Sequence, residues 1–205
     1  ARYLEKPFLG MLLLAAESKN PPKIQLVRSP VEIHERMVLS YYRARSQEPG
    51  TWADYLKEAT HNVSSQSALD IADALLDLGI TSEESAQVLI RLASMSRDWR
   101  TQTSALRALE FQETTESPKK LSRHARSKVW QIRLALAEGM RGFHNKEAIP
   151  ILIGLLEDDR KLIRTSAAIS LRKLTGAPYG PSKKNWREWW NGVQDDFTFP
   201  AFGSR

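Results

Sequence analysis

Two columns of small or apolar residues recur every 31 positions along this chain. Ala74, Ala105, Leu136 and Ala167 form one, and Leu78, Leu109, Met140 and Leu171 form the other. A fixed period of this size marks stacked helical hairpins, because a single hairpin is too small to bury its own apolar face and must lean on a neighbour. The period predicts an all-α fold of the α-solenoid kind. It also favours binding along an extended surface over catalysis, without naming the partner.

The bulk properties agree with a packed domain. The chain has 205 residues, 41% of them hydrophobic, enough for one large domain or two small ones. It has no cysteine, so disulfides and thiolate-based metal sites or catalysis are excluded. The longest apolar run, residues 8–16, contains Gly10 and is flanked by Glu5 and Glu17. It falls short of the roughly 18–20 residues of a membrane-spanning helix. No clear basic segment precedes it, as a secretory signal would require, and it reads as a buried helix opened by Pro7. No transmembrane segment is expected, and the compartment stays open. The chain opens on Ala1 rather than methionine, as expected of a processed product or of part of something longer.

Charge is unevenly placed. The net charge is +6, but residues 1–95 carry −2 and residues 96–205 carry +8. Within 117–187, 16 Lys/Arg stand against 5 Asp/Glu. Such asymmetry points to an anionic partner or to a solvated basic face. Lys119, Lys120, Arg123, Arg126, Lys128, Lys183 and Lys184 are the candidate anion-binding residues.

Helix signals divide the chain into three regions. Residues 1–62 hold a Pro21-Pro22 break and helical spacing at Ile33, Met37, Val38 and Tyr41, but they do not match the repeat and read as a divergent region or cap. Residues 63–176 carry the repeats. A helix is expected over 66–78, closed by Gly79. Thr81 and Glu84 suit a capping box for a helix bearing Ala86, Leu89, Ile90 and Ala93. Asp98 opens a helix reaching Leu109, and Ser117-Pro118 starts a short, very polar helix whose packing is expected to be weak. A long helix follows over 129–140. Asn145 suits a cap for 146–156, Asp158 or Asp159 a cap for 162–174, and Gly176 a stop. Residues 177–205 form the third region.

Residues 148–175 resemble a HEAT-type repeat. Ile149-Pro150 enters the first helix, Leu155-Leu156-Glu157-Asp158 ends it, Ile163-Arg164 opens the second, and Ala167 and Leu171 provide its packing positions. One period earlier Ile132-Arg133 repeats the apolar-Arg pair, and the likeness thins toward residue 63. The tail, with Tyr179, Trp186, Trp189 and Trp190, is similar to the aromatic helix that covers the open end of many bacterial HEAT-like arrays, and Phe197, Phe199 and Phe202 are expected to fold back or to dock on another chain. The resemblance implies an α-solenoid of HEAT-like hairpins with an aromatic C-terminal capping helix. It implies that Arg133 and Arg164 bond turn Asp side chains and backbone of their own or adjacent repeats, with Asp158 and Asp159 near enough for that role, and that second helices line a concave surface. It does not imply an activity.

Trp99, Trp130 and Lys161 sit one period apart at the starts of second helices, and Arg141 and Arg172 occupy a matching position near their ends. These five are the candidate partner-binding residues. Aromatic and basic side chains on one groove suit nucleic acid and equally a protein partner; the tryptophans also suit gap-filling between repeats. His34, His61, His124 and His144 have no metal-ligand spacing, and His124 falls at a core-leaning position. No nucleophile motif, phosphate loop or dinucleotide fingerprint is present, so no catalytic residue, metal or cofactor is expected. The HEAT-like family includes a base-excision glycosylase family, whose aromatic and carboxylate motif is not identifiable here, and chromophore-lyase subunits. The expected role is a non-catalytic scaffold that binds a protein partner, acidic in character, on its concave surface. Nucleic-acid binding through 117–187 is the alternative.

Overall fold

Local capping chemistry sets where each helix begins. The computed structural model describes residues 81–200 together with Ala72, which is helical and buried. Helix α1, Glu83–Met95, opens with a capping box between Ser82 and Ser85. That is one residue along from the Thr81–Glu84 pair the sequence suggested, and Glu83 and Glu84 instead lie in the first turn, where carboxylates complement the helix dipole. Asp98 caps α2, Trp99–Ala108, by accepting from the Arg100 amide at 3.3 Å. A 3-10 turn, Leu109–Phe111, extends it.

The segment after Ser117 is a 3-10 helix, Pro118–Arg126, capped by the Ser117 hydroxyl. Three residues per turn bring every third side chain to one side. Pro118, Leu121 and His124 are accordingly buried, while Lys119, Lys120, Arg123 and Arg126 face solvent. The expected weak packing is thus corrected: a sparse apolar content suffices because it falls on one stripe. Helix α3, Trp130–Gly139, runs into the 3-10 turn Met140–Gly142.

Helix α4 spans Ala148–Leu155. Asn145 organises the turn before it rather than capping it, accepting from the Glu147 amide through its side chain and from the Ala148 amide through its carbonyl. Helix α5, Lys161–Thr175, has Arg160 at its N-cap, while the Asp158 carboxylate accepts from the Arg160 amide one residue earlier. Gly176 ends it at φ 75°, a left-handed conformation that side-chain-bearing residues resist. Helix α6, Lys183–Val193, is capped by Ser182. The protein is all-α over the described residues, where the extended pairing is an isolated parallel bridge between Thr114 and Phe143.

These elements form two layers. One holds α1, the 3-10 helix Pro118–Arg126 and α4; the other holds α2, α3 and α5 side by side; each hairpin joins one member of each, and α6 packs on α4. The repeat columns fill the space between. Ala105, Leu136 and Ala167, like Leu109, Met140 and Leu171, are all fully buried. Ala74, Leu78, the rest of the expected helix 66–78 around Ala72 and its Gly79 stop lie outside the described residues, as do residues 1–62 and Phe202. Side chains tie each hairpin to the next at separations near one period. Glu83 accepts from the Thr114 hydroxyl and the Thr115 amide, His124 bonds the Ala93 carbonyl, and Arg141 bonds Glu110. Between α2 and α3 the backbones approach so closely that a Cβ at Gly139 would lie 2.1 Å from the Leu106 carbonyl oxygen.

Candidate interaction surfaces

The five ladder residues separate into two groups. Trp99, Trp130 and Lys161 are the first residues of α2, α3 and α5 and lie at one edge of the second layer. Trp99 is 41% exposed, with the Arg100 guanidinium 5.7 Å from its ring centroid. Trp130 is half-buried against the core and carries the Arg160 guanidinium at 4.8 Å. Trp130 thus packs against the core, whereas Trp99 is left exposed. Between Trp130 and Arg141, and between Lys161 and Arg172, the positions four and seven residues on are Leu134, Ala137 and Ala168, which are buried, and Thr165, which is exposed. The ladder is not a continuous exposed stripe.

Arg141 and Arg172 lie toward the other end of these helices. Arg141 is largely internal, donating to Glu110 at 2.5 Å and to the Ser170 hydroxyl at 3.0 Å. Arg107 pairs with Glu138 at 3.6 Å beside it. Burial raises the Glu138 carboxyl above its ordinary value, with Arg107 and Arg141 acting against that and Glu110 with it. Arg172 is exposed and reaches the Tyr179 carbonyl at 3.5 Å. On this layer Phe111, Leu162 and Ile169 stay exposed, as do Arg107, Arg172 and Lys173.

The seven anion-binding candidates are not one patch. Lys119 and Lys120 sit at the start of the 3-10 helix, and Arg126 and Lys128 at its end, roughly 15 Å away at about 2 Å rise per residue. Arg123 lies between and is exposed. Lys183 is taken up by Glu157, and Lys184 approaches Glu188 at 3.9 Å. Arg133 and Arg164 hold the turn after α4. Arg133 grips Asp158 through two bonds of 2.5 and 3.0 Å and reaches Asp159 at 2.6 Å, while Arg164 donates to the Asp158 and Asp159 carbonyls. Burial alone would raise the Asp158 carboxyl; the Arg133 and Arg160 donors outweigh it and hold it below its ordinary value.

Sequence reading missed Arg97, Arg100 and Arg160, which share the edge with the tryptophans. A signal existed: Arg97 and Lys128 are also 31 apart, in the column two places before Trp99 and Trp130.

His124 is buried, and its Nε2 stands 3.0 Å from the Ala93 carbonyl. A carbonyl only accepts, so Nε2 carries the proton of a neutral ring. Burial, then Arg123, pulls its pKa below 6.5, and the Ala93 bond pulls weakly upward. His144, also shifted down by burial, lies edge-on to Phe199. The depressed values mean that the unfolded chain binds these protons more readily than the folded one. Stability is therefore full above the unfolded value near 6.5 and is lost as pH falls through the folded values. Urea midpoints measured from neutral pH down to mildly acidic pH are expected to decline, and His124→Gln is expected to flatten the curve, leaving the share owed to His144.

Among the described residues no group of three or more His, Cys, Asp or Glu side chains is arranged to hold a metal ion. Among the same residues no helix is long and apolar enough to cross a membrane. No protein-family model matches the chain, and no curated protein matches it in sequence.

Proposed function

We propose that residues 63–176 form a HEAT-like α-solenoid, closed at its C-terminal end by α6, and that the protein is a non-catalytic scaffold binding a protein partner on the outward, concave side of its second helices. The repeat reading is supported by the common 31-residue start of α2, α3 and α5, and by side-chain bonds that join residues about one period apart. The binding reading rests on one observation. Phe111, Leu162 and Ile169 are 53%, 56% and 40% exposed on a helical layer that also carries Arg107 and Arg172. Exposed large apolar side chains on a surface that also carries arginines suit a protein interface, and the cations favour an acidic partner.

The test is a pull-down from native extract, nuclease-treated, at low and high salt, with the wild type beside the double variant Leu162→Asp/Ile169→Asp. Both sites are exposed, so the fold is expected to persist, as circular dichroism would verify. A partner protein retained by the wild type and lost from the variant is expected. Equal retention by both, or recovery that disappears with nuclease, would overturn this surface as the protein-binding one.

A further inference from the structure

The edge at which the second-layer helices begin carries an uncompensated positive charge. The three helices are held in register by Arg107–Glu138, Arg141–Glu110 and the Ser170 hydroxyl on the Ala137 carbonyl, so their N-termini lie together. Helices commonly place carboxylates in the first turn to balance the positive end of the backbone dipole. α2, α3 and α5 have none there, and α3 and α5 also lack a side-chain cap.

Around these ends stand Arg97, Arg100, Arg126, Lys128, Arg160 and Lys161, all exposed. The carboxylates of the same edge are already engaged. Asp98 accepts from the Arg100 amide, Asp158 and Asp159 hold Arg133, and Glu157 holds Lys183. Among the described residues Arg97, Arg126, Lys128 and Lys161 make no ion pair and no side-chain hydrogen bond. Two indole rings lie in the same row, Trp99 beside Arg100 and Trp130 beneath Arg160.

Neighbouring helices are about 8–10 Å apart, so cations and rings recur along the edge at intervals a flexible strand can follow. Unpaired cations attract phosphates, while indole faces and guanidinium planes stack unpaired bases. A duplex keeps its bases stacked internally and would use the cations alone. An acidic peptide offers carboxylates but no bases to stack. We propose that this edge, formed by Arg97, Trp99, Arg126, Lys128, Trp130 and Lys161, binds single-stranded nucleic acid. Leu162 adjoins Lys161 in the first turn of α5 and is shared with the protein-binding reading, whereas variants of the cations and of Trp99 leave Leu162 and Ile169 intact and test this edge alone.

The probe is a fluorescent oligo-dT of about 15 nucleotides, within the usual span of a single-strand site, followed by anisotropy with the full chain at rising salt. If the four unpaired cations each neutralise one phosphate, the logarithm of affinity should fall with that of salt at a slope of about −3. Lys128→Glu/Lys161→Glu should weaken binding by about tenfold or more and reduce that slope by about half. Lys119→Glu/Lys120→Glu, an equal charge change at the far end of the 3-10 helix, should cost less than about threefold by the same reasoning. Trp99→Ala should weaken oligo-dT by about fivefold or more yet leave an abasic phosphodiester of equal length unaffected. Equal weakening by the two double variants would reduce the effect to general charge and overturn the site. Poly-glutamate binding as tightly as oligo-dT would hand the edge to an acidic protein. Absence of oligo-dT binding at low salt would sink the proposal outright.

Discussion

Arg133→Met is expected to destabilise the protein by about 3–5 kcal/mol, because it leaves a buried carboxylate without its cation. The Asp158 side chain is only 4% exposed and that of Arg133 12%. The guanidinium is bidentate on Asp158, reaches Asp159, and donates a further bond to the Ser127 carbonyl at 2.8 Å. One side chain thus joins the turn before α3 to the turn before α5. Methionine keeps much of the stem's volume and removes every donor. In urea denaturation, Asp158→Asn alone should be costly as well, while the double variant Arg133→Met/Asp158→Asn should be less destabilised than the sum of the two, because residues that bond each other are not additive. The pH dependence carries a second signature. Asp158 is held below its ordinary value of 3.8, so its contribution is full above that value and is lost as pH falls through the folded one. Arg133→Met should remove that acid-limb loss. Strict additivity together with an unchanged acid limb would show that the pair is not an energetic unit.

The residues that were legible in the sequence are those whose environment is fixed by the period or by chain neighbours. Ala105, Leu136 and Ala167 repeat because the same inter-layer space recurs in each described hairpin. Asp98, Ser117 and Gly176 declare helix ends through bonds or backbone angles that involve only adjacent residues. The 3-10 character of Pro118–Arg126 was written in the spacing of Pro118, Leu121 and His124, but a three-residue stripe flanked by five cations is easily read as a solvated face. What the sequence could not reveal is which cations are spoken for. Arg141 and Lys161 look alike as basic residues on repeat columns. One is drawn inward by Glu110 and Ser170, which lie 31 and 29 residues away, and the other is left exposed. Pairing at that distance depends on how adjacent hairpins meet, and only the packed structure sorts the candidates into structural and available ones.

Trp186→Ala should match or exceed the effect of Arg133→Met, with an expected loss of about 3–5 kcal/mol for deleting a fully buried large aromatic. Trp186 has no exposed surface, and its Nε1 donates to the Gly180 carbonyl at 2.9 Å. Tyr179 and Trp189 meet its ring edge-on at centroid distances of 5.4 and 5.6 Å. The cluster continues through Trp190, Phe197 and Phe199, and Lys146 fastens the chain beyond α6 by donating to the Gln194 and Asp195 carbonyls. Helix α6 packs on α4, and the indole belongs to the same buried core as Ile149, Leu152 and Ile153 of α4. Trp186→Phe separates the contributions: it keeps a ring in the cluster and gives up the Gly180 bond, a net change of about 1 kcal/mol for the bond itself. If α6 closes the end of a solenoid, loss of Trp186 loosens that shared core, and amide hydrogen exchange should accelerate in α4 and α5 as well as in α6. Faster exchange confined to residues 183–200, with unchanged protection in α4 and α5, would reduce α6 to an appendage and remove the capping reading.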